Sequence, residues 1–145
     1  MNTANISPRR WTFWVIACVA LLWNLIGLAM FAAQVRLTPE LIAAMPAPQQ
    51  QVYAATPAWI NIAFGVAVVF GVLGSLAMLL RKRWAAPLFM VSLLAIVVQM
   101  VGAYAVTPAW QAYGAAGLAM PVMLVVIAAY LWWYASSAAA KGWLT

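Results

Sequence analysis

The stretch LAMLLRKRWAAPLF, Leu76–Phe89, sets three consecutive cations between two long apolar runs. Upstream, Pro57–Leu80 contains no Asp, Glu, Lys, Arg or His, and downstream neither does Trp84–Val106, apart from the cations between them. A helix of about 20 apolar residues crosses a hydrocarbon core about 30 Å thick, so each run is long enough to span a bilayer. Arg81-Lys82-Arg83 then forms the turn of a transmembrane hairpin, kept at the membrane surface by its charge. Two further runs complete the pattern, Trp11–Ala33 before the hairpin and Gly117–Tyr134 after it. Hydrocarbon offers no water to satisfy backbone N–H and C=O groups, so all four runs must be helical. The expected fold class is all-α: a four-transmembrane-helix bundle, one integral membrane domain over residues 1–145.

Composition agrees. Hydrophobic residues make up 69% of the 145 and charged residues 6%, whereas a soluble domain carries roughly 25% charged residues. The net charge of +6 raises the question of nucleic acid, but the seven basic residues stand at the ends of apolar runs. They read as a topology signal. Arg9, Arg10, Arg81, Lys82, Arg83 and Lys141 fall on one side of the four spans, and only Arg36 on the other. The positive-inside rule therefore places both termini in the cytoplasm; an even number of spans requires the termini to share a side.

Aromatic residues mark two interfaces. Trp11, Trp14, Trp84, Trp132, Trp133 and Trp143 gather at the basic side, and Trp59, Trp110, Tyr53 and Tyr113 at the other. Such rings settle at headgroup level. A cleaved leader does not fit the first span. Val15-Ile16-Ala17-Cys18 loosely resembles a lipoprotein cleavage box, yet the apolar run continues fifteen residues past Cys18, and a signal core is only about 7–15 residues long.

The four residues TPAW occur twice, at Thr56–Trp59 and Thr107–Trp110. Both lie at the outer interface. In the first copy Thr56 reads as an N-cap and Pro57 as the first helical residue; the second copy ends the third span. Between the first two spans runs the longest loop, Gln34–Thr56. Thr38-Pro39-Glu40 is a helix start, and Leu37, Leu41, Ile42 and Met45 share one face, which predicts a short helix lying on the membrane. Pro46 and Pro48 end it, and another short turn follows Gln49-Gln50-Gln51. The loop is either plain interfacial covering or a lid over an outward-facing cavity.

Small residues recur inside the spans. Ala63, Ala67, Gly71 and Ser75 repeat at every fourth position, a stripe that lets helix backbones approach closely. Ala17, Ala20, Asn24 and Gly27 match Ser92, Ala95, Gln99 and Gly102, each set stepping by 3, 4 and 3 along one helix face. A duplicated hairpin produces such a match, and so does the common demand of any packed face. Gly27, Ala63, Ala67, Gly71, Ser75 and Gly102 are the expected helix-packing positions.

Chemistry is bounded by what the chain lacks. There is no histidine, Glu40 is the only acid and Cys18 the only cysteine. General acid–base catalysis needs a titratable group in a pocket, and zinc or haem needs His or several Cys. No enzyme activity, cofactor or metal site is expected; the methionines Met30, Met100 and Met120 read as apolar filler rather than copper ligands. Proton-coupled transport needs an intramembrane acid or His, which no span provides. What remains is a group of polar residues in the outer half: Asn24, Asn61, Gln99 and, near them, Tyr104. An unpaired amide in hydrocarbon costs roughly 2–7 kcal/mol, so these should point inward. They serve as interhelical links or line a polar outward-facing pocket, with Asn24 and Gln99 close together.

The segments TPAWINIAF, FGVLG, LLRKRWAAPLF, VQM, GLAMPVM and the ending KGWL together resemble a family of small four-span bacterial membrane proteins of about this length, whose members are sometimes labelled sugar transporters. The resemblance covers most of the chain from Thr56 onward. It implies a bacterial inner-membrane location and similarity without an appended domain. The chain departs from the family at Ala47–Gln51, where members tend to be acidic. The function expected from sequence is a non-catalytic accessory or small-molecule- or lipid-binding membrane protein, partnered by the lipid bilayer and by itself or a larger membrane complex. The alternative is an uncoupled transporter of a small neutral solute.

Overall fold

The computed structural model describes residues 8–145. Helices α1 (Pro8–Val35), α4 (Ala58–Leu79), α5 (Ala85–Val106) and α7 (Ala119–Ala140) are long and apolar enough to cross a membrane. Short helices α2 (Pro39–Ala43) and α3 (Ala47–Ala55) fill the first loop. Helix α6 (Ala109–Tyr113) and a 3-10 turn (Ala115–Leu118) lie between α5 and α7. Arg9 and Arg10 fall in the first turn of α1, and their side chains lie outside the described part.

Helix α4 is the centre of the bundle. It packs against α1 on one side and α5 on the other, and α5 packs in turn against α7. Of the most apolar stretch of α4, 44% is buried, against 11% for α1 and 11% for the last span, so α4 is the helix enclosed by protein. Its small stripe explains why. Ala63, Ala67, Gly71 and Ser75 are all buried, and Asn24 of α1 presses into the space that Gly71 leaves open. Without a hydrophobic drive between helices in lipid, such close van der Waals contact is a main source of association.

The ring of helices closes at the basic end. Phe13 of α1 stacks on Tyr134 of α7, with centroids 6.3 Å apart, and meets Trp143 edge-on at 6.4 Å. Around Phe13 sits one continuous core: Ala17, Ala20, Ala77, Met78, Ala85, Phe89, Leu131, Ala135, Ala138 and Leu144. Six of these are alanines, which draw the four helices together around two large side chains, Met78 and Phe89. Helix α7 runs to Ala140, six residues beyond the Tyr134 expected from hydropathy. The extra turn-and-a-half is Ala-Ser-Ser-Ala-Ala-Ala, mostly good helix former, and its Ala135 and Ala138 are buried in that core.

Both helices that end at the basic side stop the same way. After α4, Arg81 adopts φ 56, and the N–H groups of Arg81 and Lys82 bond to the carbonyls of Met78 and Ala77. After α7, Gly142 adopts φ 77, and Gly142 and Trp143 bond back to Ala139 and Ala138. Each is a Schellman closure, in which a left-handed residue satisfies the last free carbonyls. Glycine takes that conformation without cost, whereas arginine loses about 1 kcal/mol. The arginine is held by the chain end: Arg81 Nε donates to the Trp143 carbonyl at 3.1 Å, Thr145 N–H donates to the Arg81 carbonyl at 2.8 Å, and Arg83 N–H donates to the Thr145 carbonyl at 3.0 Å. Leu144, 2% exposed, is pressed between these bonds into the core.

The two TPAW copies are joints between helices. Thr56 closes α3, its hydroxyl donating to the Val52 carbonyl at 2.6 Å, and Pro57 is the cap from which α4 starts. Thr107 closes α5 by the same bond to the Ala103 carbonyl, and Pro108 is the cap of α6. The expected N-cap role of Thr56 is therefore corrected: a hydroxyl that bonds back four residues ends the helix before it, and Pro57 precedes the first helical residue, Ala58. The sequence hid this because nothing in Gln49–Ala55 signals the nine-residue helix α3 strongly. The start at Thr38 does hold, with its side chain accepting from Leu41 N–H at 3.3 Å and Pro39 in the first turn.

Leu144→Ala should lower the melting temperature of the detergent-solubilised protein, by the equivalent of about 2–5 kcal/mol, because it empties a buried site. Leu94→Ala, on the lipid face of α5 and 57% exposed, is the control and should change little. Equal shifts for the two would show that the chain end is not part of the core.

Candidate functional site

The polar groups inside the bundle centre on α4. Asn24 Nδ2 donates to the Ala20 carbonyl at 2.8 Å and to Ser75 Oγ at 3.3 Å, linking α1 to α4. Ser75, fully buried, donates onward to the Gly71 carbonyl at 2.8 Å. Gly71 makes the arrangement sterically possible: a Cβ there would stand 2.0 Å from Asn24 Oδ1. From the other flank, Ser92 Oγ of α5 donates to the Ala67 carbonyl at 2.7 Å. Helix α4 thus receives one polar link from each neighbour, at positions of its small stripe.

Next to Asn24 is a cavity of about 20 Å³ between α1, α5 and α7. Trp23, Asn24 and Ser92 give it a polar edge, and Ile96, Leu124 and Ile127 an apolar wall. About 10–15 Å³ suffices for one water molecule. The cavity has water size, not solute size.

Nearer the end opposite the basic turn, Gln34 Nε2 donates to Asn61 Oδ1 at 3.0 Å, again joining α1 to α4. Tyr104 of α5 meets Trp110 of α6 edge-on at 5.5 Å. Its hydroxyl also lies close to Gly117, where an added Cβ would come within 2.9 Å of it and 2.3 Å of Tyr113 Cβ. Burial pushes the Tyr113 phenol above its usual pKa, and the neighbouring Tyr53 and Tyr104 add to the effect. Tyr113 is therefore a neutral hydroxyl at any physiological pH. Three tyrosines and a tryptophan from α3, α5 and α6 make an aromatic cap at the end opposite the basic turn, and α3 packs directly on α6.

The four polar residues singled out from sequence go to different partners. Asn24 reaches Ser75, Asn61 reaches Gln34, Tyr104 joins the aromatic cap, and Gln99 is half-buried with no hydrogen-bond partner among the described residues. No hydrogen bond joins Asn24 to Gln99. All six packing positions lie at helix contacts: Gly27 faces Val68, Gly102 lies under the Trp59 ring and Ile60, and the other four form the α4 stripe. The matched faces of α1 and α5 both address α4, through Asn24–Ser75 and Gly27–Val68 on one side and Ser92–Ala67 and Gly102–Trp59 on the other. A duplicated hairpin would turn the α5 copy toward α7 instead. The shared spacing reflects the common demand of packing on one central helix.

Sequence reasoning missed Gln34 and Trp23. Gln34 was legible in principle, because an amide ending the first span and another opening the second stand opposite each other across a hairpin. Nothing about Trp23 separates it from the belt tryptophans except its depth. Comparison with protein-family models, with curated proteins and with solved structures finds no match to this chain.

Gly71→Ala tests the Asn24 notch. In an ordinary helix interior this change stabilises by about 1 kcal/mol; here the methyl group meets Asn24, and a net loss of about 1–3 kcal/mol is expected. Adding Asn24→Ala should recover part of that loss. Strictly additive melting shifts across the four proteins of the cycle would remove the contact from the account.

Proposed function

We propose that the chain is a non-catalytic integral membrane protein of the bacterial inner membrane, acting as a small accessory protein that binds lipid, a small molecule or a larger membrane complex. The observation that carries this reading is the employment of the inner polar groups. Asn24, Ser75 and Ser92 bond to neighbouring helices, and the cavity beside them has room for about one water. These bonds and the water-sized cavity beside them suit a packed scaffold at this place in the bundle. Meanwhile α1 and α7 leave most of their apolar length to their surroundings, which suits contact with lipid or another membrane protein. The single acidic side chain, Glu40, sits in the first loop, remote from any paired acid, and argues against acid–base catalysis. Purification of the tagged protein in mild detergent should bring down a stoichiometric membrane partner. Solute flux through liposomes holding this protein alone would refute the accessory role.

Flux is the outcome of the second reading, an uncoupled carrier of a small neutral, sugar-like solute. Gln99 favours it, as a half-buried amide with no partner among the described residues; the label borne by the resembling family points the same way. With no intramembrane acid or histidine for a proton relay, such flux should persist when the proton gradient is collapsed at fixed pH. Its abolition would overturn the uncoupled mechanism.

The orientation proposed follows from the basic residues, with both termini cytoplasmic. The start of α1, the α4–α5 turn and the end of α7 share one end of the bundle. A reporter active only outside the cytoplasm should be silent when fused after Thr145 and active when inserted near Gln50. The reverse pattern would invert the protein in its membrane.

A further inference from the structure

Among the described residues, the basic end of the bundle carries four cations and no acidic side chain. Arg81, Lys82 and Arg83 occupy the α4–α5 turn, and Lys141 follows the last turn of α7. The one acidic side chain of the protein, Glu40, lies in α2 of the first loop, at the opposite end.

The fold concentrates these charges instead of dispersing them. Arg81 Nε bonds to the Trp143 carbonyl at 3.1 Å, while Lys141 Nζ stands 4.9 Å from the centre of the Trp143 ring. Two cations are thereby fixed to one residue. The backbone bonds between Thr145 and both Arg81 and Arg83 tie the whole turn to the same place. Lys82 and Arg83 are exposed, and their side chains have no hydrogen bond or ion pair among the described residues. Like charges gathered at one end of the bundle, beside a low-dielectric membrane, repel one another, and an anion among them relieves that repulsion. Trp84, 50% exposed, stands next to Arg83 in the turn; indole rings settle at the depth of lipid headgroups.

We propose that this end binds the phosphodiester headgroup of an anionic phospholipid. Lys82, Arg83 and Lys141 are its ligands, and Arg81, engaged with Trp143, is the positioning residue that holds the turn against the chain end. Lipid is favoured over free phosphate because the cations lie at the ends of membrane-spanning helices, where lipid phosphates are already concentrated, and basic clusters there attract anionic lipid. The inference rests on the chain spanning a bilayer and not on the accessory role, so loss of a protein partner would leave it standing.

The test offers the purified full-length protein equal amounts of phosphatidylglycerol and phosphatidylcholine and counts the lipids retained by native mass spectrometry. Phosphatidylglycerol should be retained preferentially. The triple variant K82Q/R83Q/K141Q should lose that preference by about fivefold per charge removed, and the charge-preserving K82R/R83K/K141R should keep it. If the neutralised variant does not fold, the wild type still decides: its preference should fall as salt rises from about 0.05 to about 0.5 M, over which screening shortens severalfold. Equal retention of the two lipids by the wild type, or a preference that survives neutralisation or high salt, would overturn the proposal. Binding of inorganic phosphate alone, lost in the neutralised variant and unaccompanied by lipid preference, would assign the site to a soluble anion instead.

Discussion

Close approach along α4 is the constraint on which the bundle depends. In lipid the apolar effect that assembles soluble bundles is absent between helices, so contact distance and polar links must hold them. Ala63, Ala67, Gly71 and Ser75 leave the α4 surface nearly flat, and α1 and α5 come in on either side of it. The links follow from that proximity. Asn24 can reach Ser75 only because Gly71 has no side chain, and Ser92 reaches the Ala67 carbonyl because Ala67 has so little. A single such bond averages only about 0.6 kcal/mol in membranes. Their effect is more in register than in strength, since each can form at one rotation of its helix and no other.

The two ends of the molecule are built on different principles. At the basic end, six alanines, two Schellman closures and the returning chain end form one continuous core. At the opposite end, α2 and α3 bury no residue, and the connections are two Thr–Pro joints. Segments with few buried contacts open locally at low cost. The α2–α3 cover is therefore the part of the protein able to rearrange, while the basic end fixes the spacing of the four helices. Gln99 lies in the half of α5 nearer that cover, one helix away from the Asn24–Ser75 link.

The legible part of the sequence was the part that physics over-determines. Four uncharged runs of sufficient length in a chain with 6% charged residues leave only one architecture, and Thr38 before Pro39 left one reading of that helix start. Thr56 was misread because a threonine before proline is locally compatible with two roles, closing a helix or opening one. The decision lay in Ala47–Ala55, whose polar Gln49-Gln50-Gln51 gives hydropathy no purchase on a helix. The length of α7 was underestimated for a related reason: Ala135–Ala140 is too weakly apolar to read as a span, and its burial depends on partners that only the folded bundle supplies.

The polar residues show where reading from sequence reaches its limit. Asn24 and Gln99 occupy equivalent places in matched motifs, yet one is bonded and the other is not. The difference lies not in either residue but in what α4 presents opposite each: Gly71 and Ser75 toward the basic end for Asn24, and near the start of α4, for Gln99, no partner among the described residues. An amide's role in a membrane is set by the partner across the interface, and spacing along one helix does not contain the partner. Once those inner groups are bonded to one another, the bundle's capacity to recognise anything else moves to its surface. Beside the half-buried Gln99, the clustered cations at one end and the aromatic cap of Tyr53, Tyr104, Trp110 and Tyr113 at the other are groups with chemistry to offer.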